Sequence, residues 1–496
     1  MTQHFQIPPR PALLNRPVQQ IFINGSWCDA ADGRDFPTVD PSSGAPLARI
    51  ARGGSEDIDR AVSSARAALE GEWARMTPAD RQRILLRLAD LVEANIDDLA
   101  MIDTLEMGAP IARLPVMRRR SPSVIRFYAG LVTAIEGRTI SNSIPGDVVS
   151  YTLREPVGVV GAIIPWNAPF PAALIKLCPV LAAGCTLVLK PSEDASLSSI
   201  RLMELLQEAG LPPGVVNMVT GYGLEAGAAL AAHPGVDKIA FTGSTATGRQ
   251  IIAASMGNLK RLSLELGGKS PDIVFADADL DRAVAGAAMG VFGNTGQVCS
   301  SGSRIFVQRP VFDEVVTRMA DFARALQVGP ATDPATQIGP IASERQLMRV
   351  MSYLDAGKTA GATAVVGGQR LAGALETGCF VAPTIFSNVS ADMTIVREEI
   401  FGPVAVVIPF DTEADAVKMA NDTEYGLGAG VWTRDLGCAH RMSRRIRAGT
   451  VWVNSYQLMD PAVPMGGMKQ SGHGRECGVE HLDAFLETKS VWIDAG

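Results

Sequence analysis

The sequence predicts an α/β fold of two doubly wound domains, each built on a mostly parallel sheet. Three observations predict it. The chain has 496 residues, room for two or three domains at about 100–200 residues each. From about residue 55, short apolar runs alternate with stretches of helical spacing, the rhythm of a βαβα sheet. A second series of the same kind begins beyond the paired glycines Gly267–Gly268, which form the expected boundary.

Taken in order, Ile58–Leu69 and Arg81–Ile96 have helical spacing, with Ser55 and Thr77 as expected caps. The first series of strands is Val157–Ile164, Thr186–Leu189, Val215–Val219, Lys238–Phe241 and Arg261–Leu264. The second is Asp272–Phe275, Arg304–Gln308, Thr363–Val366, Val404–Phe410 and Thr450–Val453, with helices such as Val311–Leu326 and Ala414–Ala420 between. Thr139–Leu153 alternates apolar and polar residues around Pro145–Gly146, a hairpin signal, and Ser490–Ile493 reads as a short strand. Such marginal strands either pair with another subunit or remain local edges.

Composition narrows the function. Hydrophobic residues make up 47% and charged residues 20%, which excludes a disordered chain. Acidic residues outnumber basic ones 52 to 45, a net charge of −7, so a phosphate backbone is a poor ligand and nucleic acid is not expected as a partner. The seven cysteines and five histidines are scattered without a CxxC pair, which fits reduced thiols and no metal site. Met1–Pro17 is polar and Pro-rich, unlike a signal peptide. The longest near-apolar stretch, Ala172–Leu189, contains Lys176, Pro179 and Gly184. It reads as a buried helix and a strand, not a membrane span. A cytoplasmic enzyme is the expected class.

Four segments offer chemistry. Gly243–Gly248 follows a strand and opens a helix, where backbone N–H groups can receive a pyrophosphate. Its middle position is Thr245, so an ordinary strand-to-helix turn satisfies it too. Lys190–Glu193 sits at the carboxyl end of a strand, where open α/β sheets bind ligands. A carboxylate there accepts hydrogen bonds from a ribose diol and repels a 2′-phosphate; a plain cap at Ser192 is the other reading. Gly296–Ser300 places the thiol of Cys299 in a small-residue turn, where N–H groups can lower a thiol pKa, although most single cysteines are buried and inert. Glu265 ends a strand before Gly267–Gly268, a pair that permits close backbone approach.

Together these segments resemble the aldehyde dehydrogenase superfamily. The similarity rests on Pro165–Asn167, Lys190–Glu193, Phe241–Thr245, Glu265–Lys269, Gly296–Cys299, Glu398–Val404, Trp452–Asn454 and Pro464–Gly472, in that order. It covers roughly residues 20–494. The resemblance implies an NAD-binding domain of residues 1–139 and 157–266 and a catalytic domain of 267–476. Segments 140–156 and 477–496 would build a homodimer or homotetramer.

By the same resemblance Cys299 is the nucleophile, and Asn167 with the Cys299 N–H holds the oxyanion. Glu265 is the base that hydrolyses a thioester to a free acid. Trp166, Lys190, Ser192, Glu193, Gly223, Gly227, Phe241, Gly243, Ser244, Glu399 and Phe401 match cofactor contacts. The implied cofactor is NAD rather than NADP, because of Glu193. No histidine motif stands near Cys299 as a cofactor-free cysteine hydrolase or acyltransferase would require. Retention of Cys299, Glu265 and Asn167 argues against a non-catalytic binding protein.

Small residues replace the bulky groups that narrow the tunnel in relatives acting on small aldehydes. The matching positions are Ala168, Ala172, Ile175 and Gly293, with Val298 and Ser300 beside the cysteine and Met459 and Met465 in one loop. They predict a bulky, hydrophobic aldehyde, unless other side chains fill the space. A rival expectation comes from Arg118–Arg120. If Arg120 faces inward it pairs with a carboxylate, and the substrate is a semialdehyde; a surface basic run is the alternative.

Overall fold

The computed structural model describes residues 7–496; the first six residues of the Met1–Pro17 stretch lie outside them. The first α/β series forms an eight-stranded sheet. Its parallel centre runs Arg261–Glu265, Lys238–Thr242, Val159–Ile163, Thr186–Lys190 and Val216–Met218. Every residue of Val159–Ile163 and Thr186–Lys190 is buried, as a sheet covered on both faces requires. Alternate residues serve opposite layers. Val160, Ala162, Leu187 and Leu189 pack with helix Pro169–Ala183. Val159, Ile163 and Val188 pack with helix Ser55–Ala68. The strand order reverses between Val159–Ile163 and Lys238–Thr242, the switch point at which open α/β sheets form a ligand crevice.

The second series forms a seven-stranded sheet, parallel except for its edge pair Thr363–Val366 and Thr384–Ser387. Helices Leu280–Phe292 and Phe312–Ala325 cover one face. Helices Glu413–Asn421 and Leu436–Arg445 cover the other. Gly267–Gly268 lies between the last parallel strand of the first sheet and Pro271–Val274 of the second.

Several expectations need correction. Ser55 is the first helical residue, not the cap; Gly54 caps the helix and its N–H donates to Asp57 at 3.0 Å. Thr77 does cap Pro78–Ala94. Strand Gly428–Trp432 has no counterpart in the predicted series. Its glycines remove the β-branched signal because the Trp452 and Tyr456 rings occupy the space their Cβ atoms would take. Two hairpins precede residue 55 unpredicted: Ile21–Ile23 with Ser26–Cys28, and Asp35–Val39 with Pro46–Ala51. The first turns on Asn24–Gly25, both at positive φ, a strong hairpin signal. The expected hairpin near Pro145–Gly146 is present, and Val148–Pro156 pairs along its length with Leu486–Asp494.

Candidate active site

The site gathers where the carboxyl ends of the first sheet meet the amino ends of the second. Strands ending at Ile163, Lys190, Thr242 and Glu265 deliver Trp166 and Asn167, Lys190 and Glu193, Gly243 and Ser244, and Glu265 itself. From the other side, Gly267–Gly268, Cys299 and Glu399 precede the strands that start at Pro271, Arg304 and Val404.

Along the first sheet's ends, Lys190 Nζ donates to Glu193 at 3.1 Å. Burial lowers the Lys190 pKa. Burial opposes the charge of Glu193, yet Lys190 and nearby N–H groups hold its pKa below the ordinary range. The stem of Lys190 lies against Gly227, in the π-helical turn Gly223–Gly227. Ser192 is not a helix cap: the next helix starts at Leu197. Instead its carbonyl accepts from the Ser196 hydroxyl at 2.7 Å, tightening the turn. Ser244 caps helix Thr245–Ala254 and accepts from Thr247 N–H at 3.2 Å, leaving that N-terminus open to solvent. Phe241 is buried beneath Gly243. Trp166 and Phe401 meet edge to face at 5.3 Å.

The Cys299 loop is held in an unusual shape. Asn294 and Thr295 both have left-handed φ, 54° and 58°, a conformation that costs of order 1–3 kcal/mol at such residues. Side chains hold it. Asn294 Nδ2 donates to the carbonyl of Asn167 at 3.0 Å, and Asn167 Nδ2 donates to the carbonyl of Gln297 at 2.8 Å. Gln297 accepts from Ala342 N–H at 2.9 Å, and Thr295 donates to Gly339 at 3.1 Å. The Asn167 amide keeps a second hydrogen. No main-chain acceptor among the described residues takes the Cys299 N–H. The cysteine is half-buried. Burial, then the carboxylates of Glu399, Glu265 and Glu476, push its pKa up to about 12, against the lowering effect of the Ser300 N–H.

The double glycine has a steric reason. A Cβ on Gly268 would collide with the Cys299 carbonyl, and one on Gly267 would stand 2.5 Å from Glu399. Glu399 accepts from Gly268 N–H at 2.9 Å, and burial raises its pKa to about 7.

Glu265 is buried, and burial followed by Glu476 raises its pKa well above the ordinary value. Glu476 was not singled out in the sequence. It is ion-paired with Lys176 from the buried helix and accepts from Thr242 at 3.3 Å. A reciprocal backbone pair at 2.7 Å ties it to Met465, so the Pro464–Gly472 segment carries Glu476 to Glu265. Neither Lys176 nor Glu476 stands in a motif of spaced residues; only the fold unites them.

The expected pocket residues divide. Ala168, Ala172, Ile175, Gly293, Val298 and Met465 are partly exposed, and Met459 is exposed. No atom lies within 4 Å of where a Gly293 Cβ would stand. Ser300 is buried, its carbonyl accepting from Tyr456 Oη at 2.9 Å. Among the described residues no cluster of histidine, cysteine and acids could hold a metal, and no helix is long and apolar enough to cross a membrane.

The model of the aldehyde dehydrogenase family matches residues 27–491. The chain belongs to the aldehyde dehydrogenase family. Two family relatives each share 46% identity with it. One is the NADP/NAD-dependent aldehyde dehydrogenase PuuC of Escherichia coli, over 96% of this chain and 95% of that one. The other is the mitochondrial aldehyde dehydrogenase of Mesocricetus auratus, with the same coverage. Among solved structures, the NAD+ complex of an aldehyde dehydrogenase from Bacillus cereus superposes with a TM-score of 0.96. It is 45% identical and covers 99% of this chain and all of that one.

Proposed function

We propose that the protein oxidises a bulky, largely apolar aldehyde to the free carboxylic acid with NAD, through a thioester on Cys299. One observation carries the reading: Cys299, Asn167 and Glu265 converge from three separate segments, with two hydrogen-bond donors unspent. The Cys299 sulfur adds to the aldehyde carbon. The second Asn167 hydrogen and the Cys299 N–H receive the resulting oxyanion, each such donor being worth about 3–4 kcal/mol in the transition state. Glu265, its own pKa raised, is the base that takes a proton from the water hydrolysing the thioester. Lys176 and Glu476 position Glu265 and offer its proton a way out.

The residues fit the cofactor. Lys190 and Glu193 present a cation and a carboxylate to a ribose diol, with Ser192 in the turn that holds them. The Ser244 helix N-terminus beside Gly243 meets a pyrophosphate. Gly223 and Gly227 leave room beside Lys190, and Glu399, Trp166 and Phe401 border the opposite end. Bound there, NAD supplies the hydride acceptor. Glu193 supports NAD over NADP.

We propose an NAD-binding domain of 1–139 and 157–266, a catalytic domain of 267–476, and a cytoplasmic homo-oligomer joined through 140–156 and 477–496. Exposed Ile140, Val149, Leu153, Trp492 and Ile493 on that three-stranded sheet support it. Absorbance at 340 nm on mixing protein, NAD and an aldehyde panel tests the reading. Faster turnover of long-chain or aromatic aldehydes than of acetaldehyde is expected; no NADH with any aldehyde refutes it.

A further inference from the structure

His481 is fully buried in the short helix Gly478–Asp483, whose N-cap is Cys477, the residue after Glu476. Side chains on a helix lean toward its N-terminus, and this imidazole reaches back over the first turn. Its Nδ1 accepts the Cys477 N–H at 3.3 Å and meets Tyr128 Oη at 2.9 Å. A backbone N–H only donates. Nδ1 therefore carries the lone pair, Tyr128 donates to it as well, and the ring hydrogen sits on Nε2. Nε2 is buried with no hydrogen-bond partner among the described residues. All the polar contacts of this ring are thus made at Nδ1. The rings of Tyr128 and Phe485 pack against it, with centroids 6.0 and 5.3 Å away.

The turn that Nδ1 holds is under strain. Cys477 has φ 61°, a left-handed conformation that persists only where its surroundings over-determine it. On the other side, the N–H and carbonyl of Glu476 are both taken by Met465 at 2.7 Å. Glu476 is pinned from both directions along the chain, and its carboxylate is left to Lys176, Thr242 and Glu265. The charged groups around the imidazole are Glu476, Lys176 and Lys238, with Tyr128 and Cys477 in contact. Burial lowers the His481 pKa to about 3; Glu476 opposes the shift and the two lysines add to it. At neutral pH the ring is uncharged and Nδ1 is an acceptor.

We propose that His481, held by Tyr128, is a positioning residue for thioester hydrolysis: by accepting the Cys477 N–H at Nδ1 it sets the turn that carries the Glu476 carboxylate to Lys176 and Glu265. It touches none of the reacting atoms. This rests on the reading of Glu265 as the hydrolytic base.

The test uses two amides. Asparagine places a polar atom where Nδ1 stands, and glutamine places one where Nε2 stands. His481→Gln and His481→Asn are compared with the wild type, with NAD and nonanal, by stopped flow and in steady state. In His481→Gln the first turnover of NADH should keep the wild-type rate, because sulfur addition and hydride transfer do not use Glu476. Steady-state turnover should fall about tenfold, as for one lost hydrogen bond. The acid limb of its kcat profile should also move to lower pH. Burial and then Glu476 raise the Glu265 pKa, against Lys176 and Arg475, so Glu265 without Glu476 beside it ionises at lower pH. His481→Asn should recover most of the turnover and the position of the limb. Tyr128→Phe removes only the hydroxyl and should show the same pattern more weakly; it carries the test if His481→Gln does not fold. Equal behaviour of the two amide variants, a first turnover that falls with the steady state, or an unmoved acid limb overturns the proposal while leaving aldehyde oxidation standing. So does a Tyr128→Phe variant that matches the wild type. No NADH from the wild type overturns the underlying reading and this proposal with it.

Discussion

The two large sheets contribute opposite ends of their strands, and the ends differ in character. At the carboxyl ends of the first sheet, Lys190 and Glu193 form an ion pair, and Lys190 favours the Glu193 charge. At the amino ends of the second, Cys299 and Glu399 sit with pKa values raised to about 12 and about 7. Glu265 stands at the seam and shares the second environment. Burial acts at both ends, but at Glu193 it is offset by the Lys190 cation, whereas Cys299 faces carboxylates. A binding end pairs its buried charges to meet a polar ligand, whereas a reaction end leaves buried groups beside like charge so that protons are held until needed.

The largest break in that comparison is Cys299→Ala, which should abolish NAD reduction while NAD binding, followed by fluorescence titration, stays nearly intact. Turnover by the purified variant would remove the nucleophile. Next, Glu265→Gln should lower steady-state turnover by about 10²–10⁴ while a burst of NADH survives. Loss of the burst would instead assign Glu265 to thiol activation, and unchanged turnover would take it out of the reaction. The third concerns pH. Cys299 reacts as thiolate and ionises only toward pH 12. Its alkylation in cofactor-free protein should therefore rise about tenfold per pH unit between about pH 7 and 10. A plateau below pH 8 would mean the reaction end is not desolvated. The smallest effect is expected at the binding end. Glu193→Ser should improve kcat/KM for NADP relative to NAD by about tenfold, as expected for one charged contact. No change would show that Glu193 does not face the ribose.

Strand ends were legible in the sequence because their signals are local. Val159–Ile163, Thr186–Lys190 and Arg304–Gln308 are apolar runs between turns, and the motifs at their ends fall where the sheets place them. Gly428–Trp432 was hidden because its packing against Trp452 and Tyr456 demands glycine, which carries no strand signal. The proton-holding side of the site was hidden for a related reason. Lys176 lies on a helix whose apolar pattern announces only burial, and Glu476 reaches Glu265 through the backbone pair with Met465. The direction of the Cys299 pKa was also beyond sequence, since the three carboxylates that raise it come from segments far apart.

Mass analysis of Glu265→Gln, quenched during the burst with an aldehyde and NAD, tests the account most directly. The account predicts the Cys299 peptide carrying the acyl group of the aldehyde as a thioester, in amount equal to the NADH released. NADH released in that burst while the Cys299 peptide stays unmodified would contradict it.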